Sequence, residues 1–207
     1  MAPLNMHFAR VFTIAIATLT TISVTAHTHN FSTPLTVGAP RGPIAIVGKQ
    51  DPNPISGLLV SSQDEADRVR LAALDAYWAT VSRAVRSGDF DAYAATCHLD
   101  GVLVIGSKKT SQPLATALKR WKREFDDTRD GKMQASVEFR LSSRTGDATT
   151  AYETGIFLYI SQVAGGPLKK DCVFLEALLV KQADGWKILM EHQKGPATEA
   201  QWEALRK

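Results

Sequence analysis

The spacing of apolar residues changes from a helical period to a strand period near Met133. Before this position, apolar residues recur every three or four positions in two long stretches, one around Tyr77 and one around Trp121. Such spacing is typical of amphipathic helices. From Met133 onward, apolar and polar residues alternate, which is typical of strands with one buried face. We therefore predict an α+β protein in which helices precede an antiparallel sheet.

Capping and turn residues divide these stretches into separate elements. Ser62 and Glu65 have the spacing of a capping box, as do Thr198 and Gln201. The first predicted helix runs from Ser62 to Arg86 and is ended by Ser87-Gly88, and the second runs from Phe90 to Cys97 and is capped by Asp89. A third helix is capped by Ser111, with Pro113 in its first turn, and a short helix lies at the C-terminus. The predicted strands are Gly101 to Gly106, Met133 to Leu141, Thr149 to Gln162, Cys172 to Gln182 and Trp186 to Gln193, the last four forming a meander.

The last two strands form a hairpin whose register decides which residues share a face. A three-residue loop, Ala183-Asp184-Gly185, sets Val180 opposite Ile188, Leu178 opposite Met190 and Glu176 opposite His192. A two-residue loop would mix charged residues into the apolar face, so we prefer the first register. This register places a carboxylate beside an imidazole on a mostly apolar face. Such a pair is either a candidate site or a satisfied polar contact.

The N-terminal residues differ in composition from the rest of the chain. Residues 1–26 contain one arginine and an apolar, Thr-rich and Ser-rich run that ends in Val24-Thr25-Ala26, the pattern of a signal peptidase site. We predict a signal peptide cleaved after Ala26 and export to the periplasm or the exterior, with an uncleaved N-terminal anchor as the alternative. Residues 27–61, rich in Pro and Gly, are expected to form an arm or linker. A domain over residues 62–195 and a tail over 196–207 complete the chain, and no membrane segment is expected after cleavage.

Charge and motif content narrow the classes of function. The formal net charge is +3, and acidic residues lie among the basic ones, so a nucleic-acid partner is not expected. The sequence has no Gly-rich phosphate loop, serine-hydrolase elbow or zinc-binding spacing, and we predict neither a cofactor nor a metal site. Cys97 and Cys172 would meet an oxidising compartment. They form either a disulfide or two buried thiols.

The order of the elements and several motifs resemble the nuclear transport factor 2-like superfamily, in its SnoaL-like or ketosteroid isomerase-like branch. The resemblance covers about Asp64 to His192. The motifs are Ser87-Gly88-Asp89-Phe90-Asp91, Asp100-Gly101-Val102, the amphipathic third helix and Asp184-Gly185-Trp186-Lys187-Ile188. The resemblance implies a cone-shaped α+β barrel of three N-terminal helices packed on a strongly curved antiparallel sheet. It also implies an apolar pocket and a homodimer formed through the sheet.

The catalytic residues of the steroid isomerases are not carried over. Counted without gaps, their general base falls at Ile105 and their oxyanion-hole tyrosine at Val81, and neither side chain transfers a proton. In their place we expect His192 to act as acid or base, Glu176 to orient it, and Tyr77 or Tyr159 to donate a hydrogen bond to the oxygen on which negative charge develops. The expected ligand contacts are Trp78, Trp121, Glu153, Phe157, Tyr159 and Met190. Glu153 and Tyr152 lie on opposite faces of their strand, and we expect the face that carries Glu153 to line the pocket.

Two functions follow from this prediction. In the first, an exported enzyme or binding protein holds a small apolar molecule and isomerises, dehydrates or cyclises it without a cofactor. In the second, the same domain is a dimerising module that binds a ligand or a partner and has no catalytic activity. An open pocket with Glu176 and His192 on its wall favours the enzyme. A pocket filled by Trp78, Trp121 and Phe157 favours the binding module.

Overall fold

A computed structural model of the protein describes residues 54–206, with side chains described from Gln63 onward. The predicted signal peptide and most of the predicted arm lie outside the described residues. The elements in chain order are α1 (Pro54–Ser87), α2 (Phe90–Ala94), β1 (Cys97–Ile105), a 3₁₀ turn (Gly106–Lys108), β2 (Thr110–Pro113), α3 (Leu114–Arg129), β3 (Met133–Gly146), β4 (Thr150–Val163), β5 (Lys169–Gln182), β6 (Gly185–Pro196) and α4 (Glu199–Ala204).

One six-stranded sheet runs through the described part of the chain, in the order β2-β1-β6-β5-β4-β3. Every neighbouring pair is antiparallel except β1 and β6, which are parallel. The predicted α+β class is confirmed, and β3 to β6 form the predicted meander. The sheet also contains β1, which the sequence predicted as a strand, and β2, which it did not.

The predicted starts of two helices are wrong. α1 begins at Pro54, so Ser62 lies within the helix and cannot cap it. Ser111 lies in β2, where it pairs with Val104, and α3 begins only after Pro113. For Ser111 the capping signal is overridden by the pairing of β2 with β1. The capping box at the C-terminus is confirmed, because the Thr198 side chain accepts a hydrogen bond from the backbone N–H of Gln201 and the Gln201 side chain accepts one from the backbone N–H of Thr198.

The apolar core lies between α1, α3 and one face of the sheet, which we call the inner face. α1 contributes Leu74 and Trp78, and α3 contributes Leu114 and Trp121, all of them buried. On β4 the inner face carries the Glu153 set that we favoured, since Glu153 is fully buried while Tyr152 is 40% exposed. A Cβ at Gly155 would lie only 2.2 Å from the carbonyl oxygen of Arg140, so this position needs a glycine for the close approach of β3.

The opposite, outer face of the sheet is partly covered by the C-terminal helix. Trp202 of α4 is buried, and its ring lies 4.0 Å from the guanidinium of Arg140 on β3. The same guanidinium donates a 2.7 Å hydrogen bond to the carbonyl of Trp202. Ile156, which pairs with Arg140 across β3 and β4, is also buried. The tail therefore forms part of the folded domain.

The hairpin of β5 and β6 begins in a register that neither alternative above predicted, and it then shifts into the preferred one. Gln182 pairs with Gly185, so the loop has two residues, and Leu179 pairs with Ile188. The predicted pairing of Val180 with Ile188 is wrong. A bulge at Leu189 then shifts the register by one residue, and beyond it Glu176 pairs with His192 as predicted.

Both cysteines are free, which resolves the alternative in favour of thiols. No helix among residues 54–206 has an apolar stretch long enough to cross a bilayer.

Candidate functional site

A cavity of about 70 Å³ lies between α1, α3 and the inner face of the sheet. Most of its wall is apolar, and many of the lining side chains are aromatic. The lining residues come from α1, α2 and α3, from the segment between α2 and β1, and from β1, β3, β4, β5 and β6. The aromatic lining residues are Tyr77, Trp78, Tyr93, Trp121, Phe125, Phe139, Phe157 and Tyr159. Edge-to-face contacts, such as Tyr77 with Trp78 at 80° and Tyr93 with Trp121 at 78°, fix the orientation of these rings.

The bulge at Leu189 decides which residues of β6 face this cavity. Ile188 faces it, and without the bulge strict alternation would place Met190 and His192 on the same side. The extra residue reverses the alternation, so that Glu191 and Gln193 line the cavity instead. The Gln193 amide donates a 2.7 Å hydrogen bond to the Glu191 carboxylate, which fixes the orientation of that carboxylate.

Glu191 is the carboxyl group best placed for chemistry in the cavity. Its side chain keeps some accessible surface, and it belongs to the cavity wall. Burial raises the pKa of Glu191 above its ordinary value, although the hydrogen bond from Gln193 opposes the shift. A carboxyl group with a raised pKa in an apolar pocket is suited to general acid or base catalysis.

Two phenols interact electrostatically with Glu191. Burial, the largest cause, raises the pKa of Tyr77 and of Tyr93 well above the ordinary value, and the Glu191 charge adds to both shifts. Both phenols are therefore protonated at neutral pH and can donate hydrogen bonds. The hydroxyl of Tyr77 donates to the backbone carbonyl of Thr96 at 3.3 Å, a long bond that a better acceptor in the cavity can replace.

Cys97 also lines the cavity, between these phenols and β6. Burial, assisted by the Glu191 charge, raises the pKa of its thiol to about 12. The thiolate is the nucleophilic form of cysteine, so at neutral pH this thiol is unreactive. Cys97 therefore contributes a small apolar surface to the wall.

A second carboxyl group, Glu124 of α3, lines the cavity. Burial raises its pKa to about 7, even though Arg120 and Lys169 favour the charged form. Glu124 also contributes to the raised pKa of the Tyr159 phenol, after burial. The cavity wall thus contains two carboxyl groups that change charge at higher pH than ordinary glutamates do.

Five of the predicted site residues do line this cavity: Tyr77, Trp78, Trp121, Phe157 and Tyr159. Glu153 does not, and its placement on the pocket wall is wrong. It is fully buried beside the cavity, where it accepts 2.5 Å hydrogen bonds from Trp78 Nε1 and Arg144 Nε. Arg144 also donates a 2.5 Å bond to Asp75. Glu153 therefore joins α1 to the β3–β4 hairpin.

The predicted catalytic pair forms, but on the wrong face of the sheet. His192 Nδ1 lies 3.0 Å from Glu176 Oε2, and Lys194 Nζ lies 2.6 Å from Glu176 Oε1. Neither Glu176 nor His192 lines the cavity, and neither does Met190. For Met190 and His192 the expected position is wrong because the bulge in β6, which the sequence did not predict, turns them to the outer face. Glu176 lies on the outer face because it alternates along β5 with the buried Leu175 and Ala177. The sequence reasoning also missed Glu191, Gln193, Tyr93 and Glu124.

The architecture and the enclosed cavity define a protein of the nuclear transport factor 2-like class, within its SnoaL-like and ketosteroid isomerase-like branch. The SnoaL-like domain family matches residues 71–196, which is more than half of the chain. The chain therefore belongs to this family, and the predicted resemblance is confirmed. No curated protein matches the sequence.

Solved structures with a similar fold share little sequence with this chain. A conserved protein from Planctomyces limnophilus is 11% identical with a TM-score of 0.52, and the alignment covers 60% of this chain and 94% of that protein. A variant of Rv3472 from Mycobacterium tuberculosis, of unknown function, is 16% identical with a TM-score of 0.52, over 66% and 77% of the two chains. A ketosteroid isomerase-like protein from Erwinia carotovora is 18% identical with a TM-score of 0.46, over 59% and 92%. At these identities the likeness shows the fold alone.

Proposed function

We propose that the cavity binds a small, mostly apolar molecule and catalyses proton transfer on it, as in an isomerisation, dehydration or cyclisation. Glu191 is the acid or base, and Tyr77 and Tyr93 donate hydrogen bonds to the oxygen on which negative charge develops. The observation that carries the proposal is the meeting of a high-pKa carboxyl group and two protonated phenols in one apolar cavity.

The geometry supplies each part that such a reaction needs. The ionised form of Glu191 accepts a proton from a carbon next to a carbonyl group, and the raised pKa makes it a stronger base than an ordinary glutamate. The phenols stabilise the resulting enolate with little rearrangement, because their rings are packed in fixed edge-to-face contacts. Gln193 holds the carboxylate in place. These steps use side chains of this chain alone.

Proton transfer can be measured without knowing the natural substrate. Butanone is small enough for a narrow cavity, and the exchange of its α-hydrogens in D₂O is followed by NMR. We expect the protein to accelerate this exchange and Glu191→Gln to reduce the acceleration by about 10²-fold or more, the usual contribution of a positioned acid or base. Glutamine keeps the shape of the side chain and removes its ability to take up a proton.

The matched control is Glu176→Gln, which makes the same change on the outer face of the sheet. This variant is expected to retain the full acceleration. If Glu191→Gln exchanges butanone as fast as the unmodified protein, or if Glu176→Gln is the variant that loses activity, the assignment of Glu191 is wrong.

The narrowness of the cavity supports a second candidate, a binding module without catalysis. Trp78, Trp121 and Phe157 all form part of the wall, and the free volume between them and the other lining residues is only about 70 Å³. In this case a small ligand raises the melting temperature by mass action while α-hydrogen exchange stays at the rate of buffer.

Export and homodimerisation belong to the same proposal. The apolar run that ends at Ala26 supports export. The part of the outer face around Tyr152 and Val180 supports contact with a second copy, because Tyr152 is 40% exposed and α4 packs elsewhere, against Arg140. Mass spectrometry of the mature N-terminus and light scattering of the purified protein test these two points.

A further inference from the structure

The cavity wall has an unusual balance of charge. Among the described residues that line it, two are glutamates, Glu124 and Glu191, and none is a lysine, arginine or histidine. The basic groups near it are engaged elsewhere. Lys187 donates to the carbonyl of Ala95 and forms a 2.8 Å ion pair with Asp184. Arg120 and Lys169 act on Glu124. No cation therefore faces the Glu191 carboxylate across the cavity.

The remaining wall near Glu191 is aromatic. Tyr77, Tyr93 and Trp121 line the cavity, and the Tyr93 ring stands at 78° to the Trp121 ring with 6.1 Å between centroids. Because these rings line the cavity, a ligand held in it contacts them. The face of an aromatic ring carries partial negative charge and attracts a cation, most strongly where water is excluded. The carboxylate and the ring faces together favour a ligand with positive charge and disfavour a ligand with negative charge.

We propose that the natural ligand carries a small ammonium centre, of the tertiary or quaternary type, which lies beside Glu191 among these rings, and that the cavity rejects carboxylates. The inference rests on the proposed function, because it names the class of substrate for the same cavity. A positive charge next to Glu191 also favours its ionised form. The ligand itself thereby maintains the form of the carboxyl group that accepts a proton.

This arrangement gives ligand binding a definite dependence on pH. In the free protein, burial raises the pKa of Glu191, and the groups that face it are Gln193 on β6, Tyr77 on α1, Tyr93 at the end of α2 and the Cys97 thiol on β1. None of them carries positive charge. A bound cation lowers the pKa of Glu191, so binding releases a proton and becomes tighter as pH rises through the pKa of the free protein.

Three probes of nearly the same shape separate the contribution of charge from that of size. Choline is the cation, 3,3-dimethylbutan-1-ol is its neutral carbon isostere, and 3,3-dimethylbutanoate is the anion. Their dissociation constants are measured by NMR titration at pH 8 and low salt, with the indole N–H signals of Trp78 and Trp121 reporting entry into the cavity. We expect choline to bind more tightly than the alcohol by more than the ~5- to 30-fold that one cation–aromatic contact supplies, because the Glu191 carboxylate adds to the preference. We expect no binding of the carboxylate.

Two variants locate the origin of this preference. Glu191→Gln is expected to reduce the advantage of choline to the part that the rings supply while leaving the alcohol bound, and Glu176→Gln on the outer face is expected to change neither. If the alcohol binds in the cavity as tightly as choline, the inference is overturned while the proposed function stands. If choline keeps its full advantage in Glu191→Gln, the assignment of Glu191 as counter-ion is overturned. Binding of none of the probes would overturn the inference, whereas the butanone experiment judges proton transfer independently.

Discussion

Replacing Glu124 with glutamine should make the protein less sensitive to rising pH. The ordinary pKa of 4.5 rises to about 7 in the folded protein because the carboxyl group is partly buried in the cavity wall. The folded protein therefore holds this proton to a higher pH than the unfolded chain does. The protonated Glu124 side chain therefore contributes fully to stability below the pKa that it has in the unfolded chain. This contribution is lost as pH rises through the pKa that it has in the folded protein.

The size of the effect follows from the shift. A rise of about 2.5 units corresponds to an upper limit of ~3 kcal/mol, since each unit is worth ~1.4 kcal/mol. Because Glu124 keeps partial contact with solvent, and Arg120 and Lys169 are close, screening reduces the realistic value to ~1–2 kcal/mol. The unmodified protein should lose this amount of unfolding free energy between pH 4.5 and pH 8. Over the same pH range, the unfolding free energy of Glu124→Gln should fall by ~1–2 kcal/mol less than that of the unmodified protein.

Urea denaturation at several pH values between 4.5 and 8 measures the difference, with tryptophan fluorescence as the signal. Glu138→Gln, at an exposed position of β3, is the matched control for the removal of one carboxylate from the surface. The decisive quantity is the change in unfolding free energy with pH, compared between variants. Parallel curves for Glu124→Gln and the unmodified protein, or a steeper decline for the variant, would refute the reasoning about burial of Glu124.

Two further predictions concern stability. Glu153→Gln leaves the buried guanidinium of Arg144 with only Asp75 as a carboxylate partner and should lower the unfolding free energy by ~3 kcal/mol, measured by urea denaturation. Trp202→Ala removes the ring against which Arg140 packs and should cost ~3 kcal/mol or more, measured as a fall in melting temperature. An unchanged transition in either variant would show that the contact contributes nothing to stability.

Much of the sheet could be predicted because its residues obey a simple period. Met133, Val137 and Phe139 alternate with polar residues, and β3 follows this pattern through the predicted strand. The apolar side of α3 could be predicted for the same reason, since Leu114 and Trp121 recur at helical spacing and are buried. Where one face of a helix or strand is buried along its whole length, apolar residues recur with the period of that element, and the element can be predicted from their spacing.

The helix starts could not be predicted in the same way, because capping residues have more than one use. Ser111 has a hydroxyl that suits a helix cap, yet it lies in a strand that pairs with β1. That pairing joins residues on either side of a short turn over Gly106–Lys108. Local propensity is weaker than such tertiary pairing, and a single sequence does not reveal which of the two prevails.

The candidate site was mispredicted through one residue. Leu189 forms a bulge in β6, and nothing in the alternation of β6 marks it, because apolar residues are continuous from Ile188 to Met190. A bulge exchanges the two faces of every residue beyond it. His192 therefore moved to the outer face and Glu191 to the cavity. The prediction of the pairing with Glu176 was right, while the inference about what this pair faces was wrong.

The proposed role of Glu191 as a base involves a different strand from the one to which the comparison with the steroid isomerases assigns their base. In the ungapped comparison that base falls at Ile105 of β1, which cannot accept a proton. Ile105 pairs in parallel register with Gln193 of β6, and Gln193 donates directly to Glu191. Glu191 on the neighbouring strand β6 is thus hydrogen-bonded to Gln193, the residue that pairs with Ile105. The same cavity can therefore hold a base on β6 while β1 contributes only apolar wall, and the absence of a carboxylate at Ile105 is no argument against proton transfer.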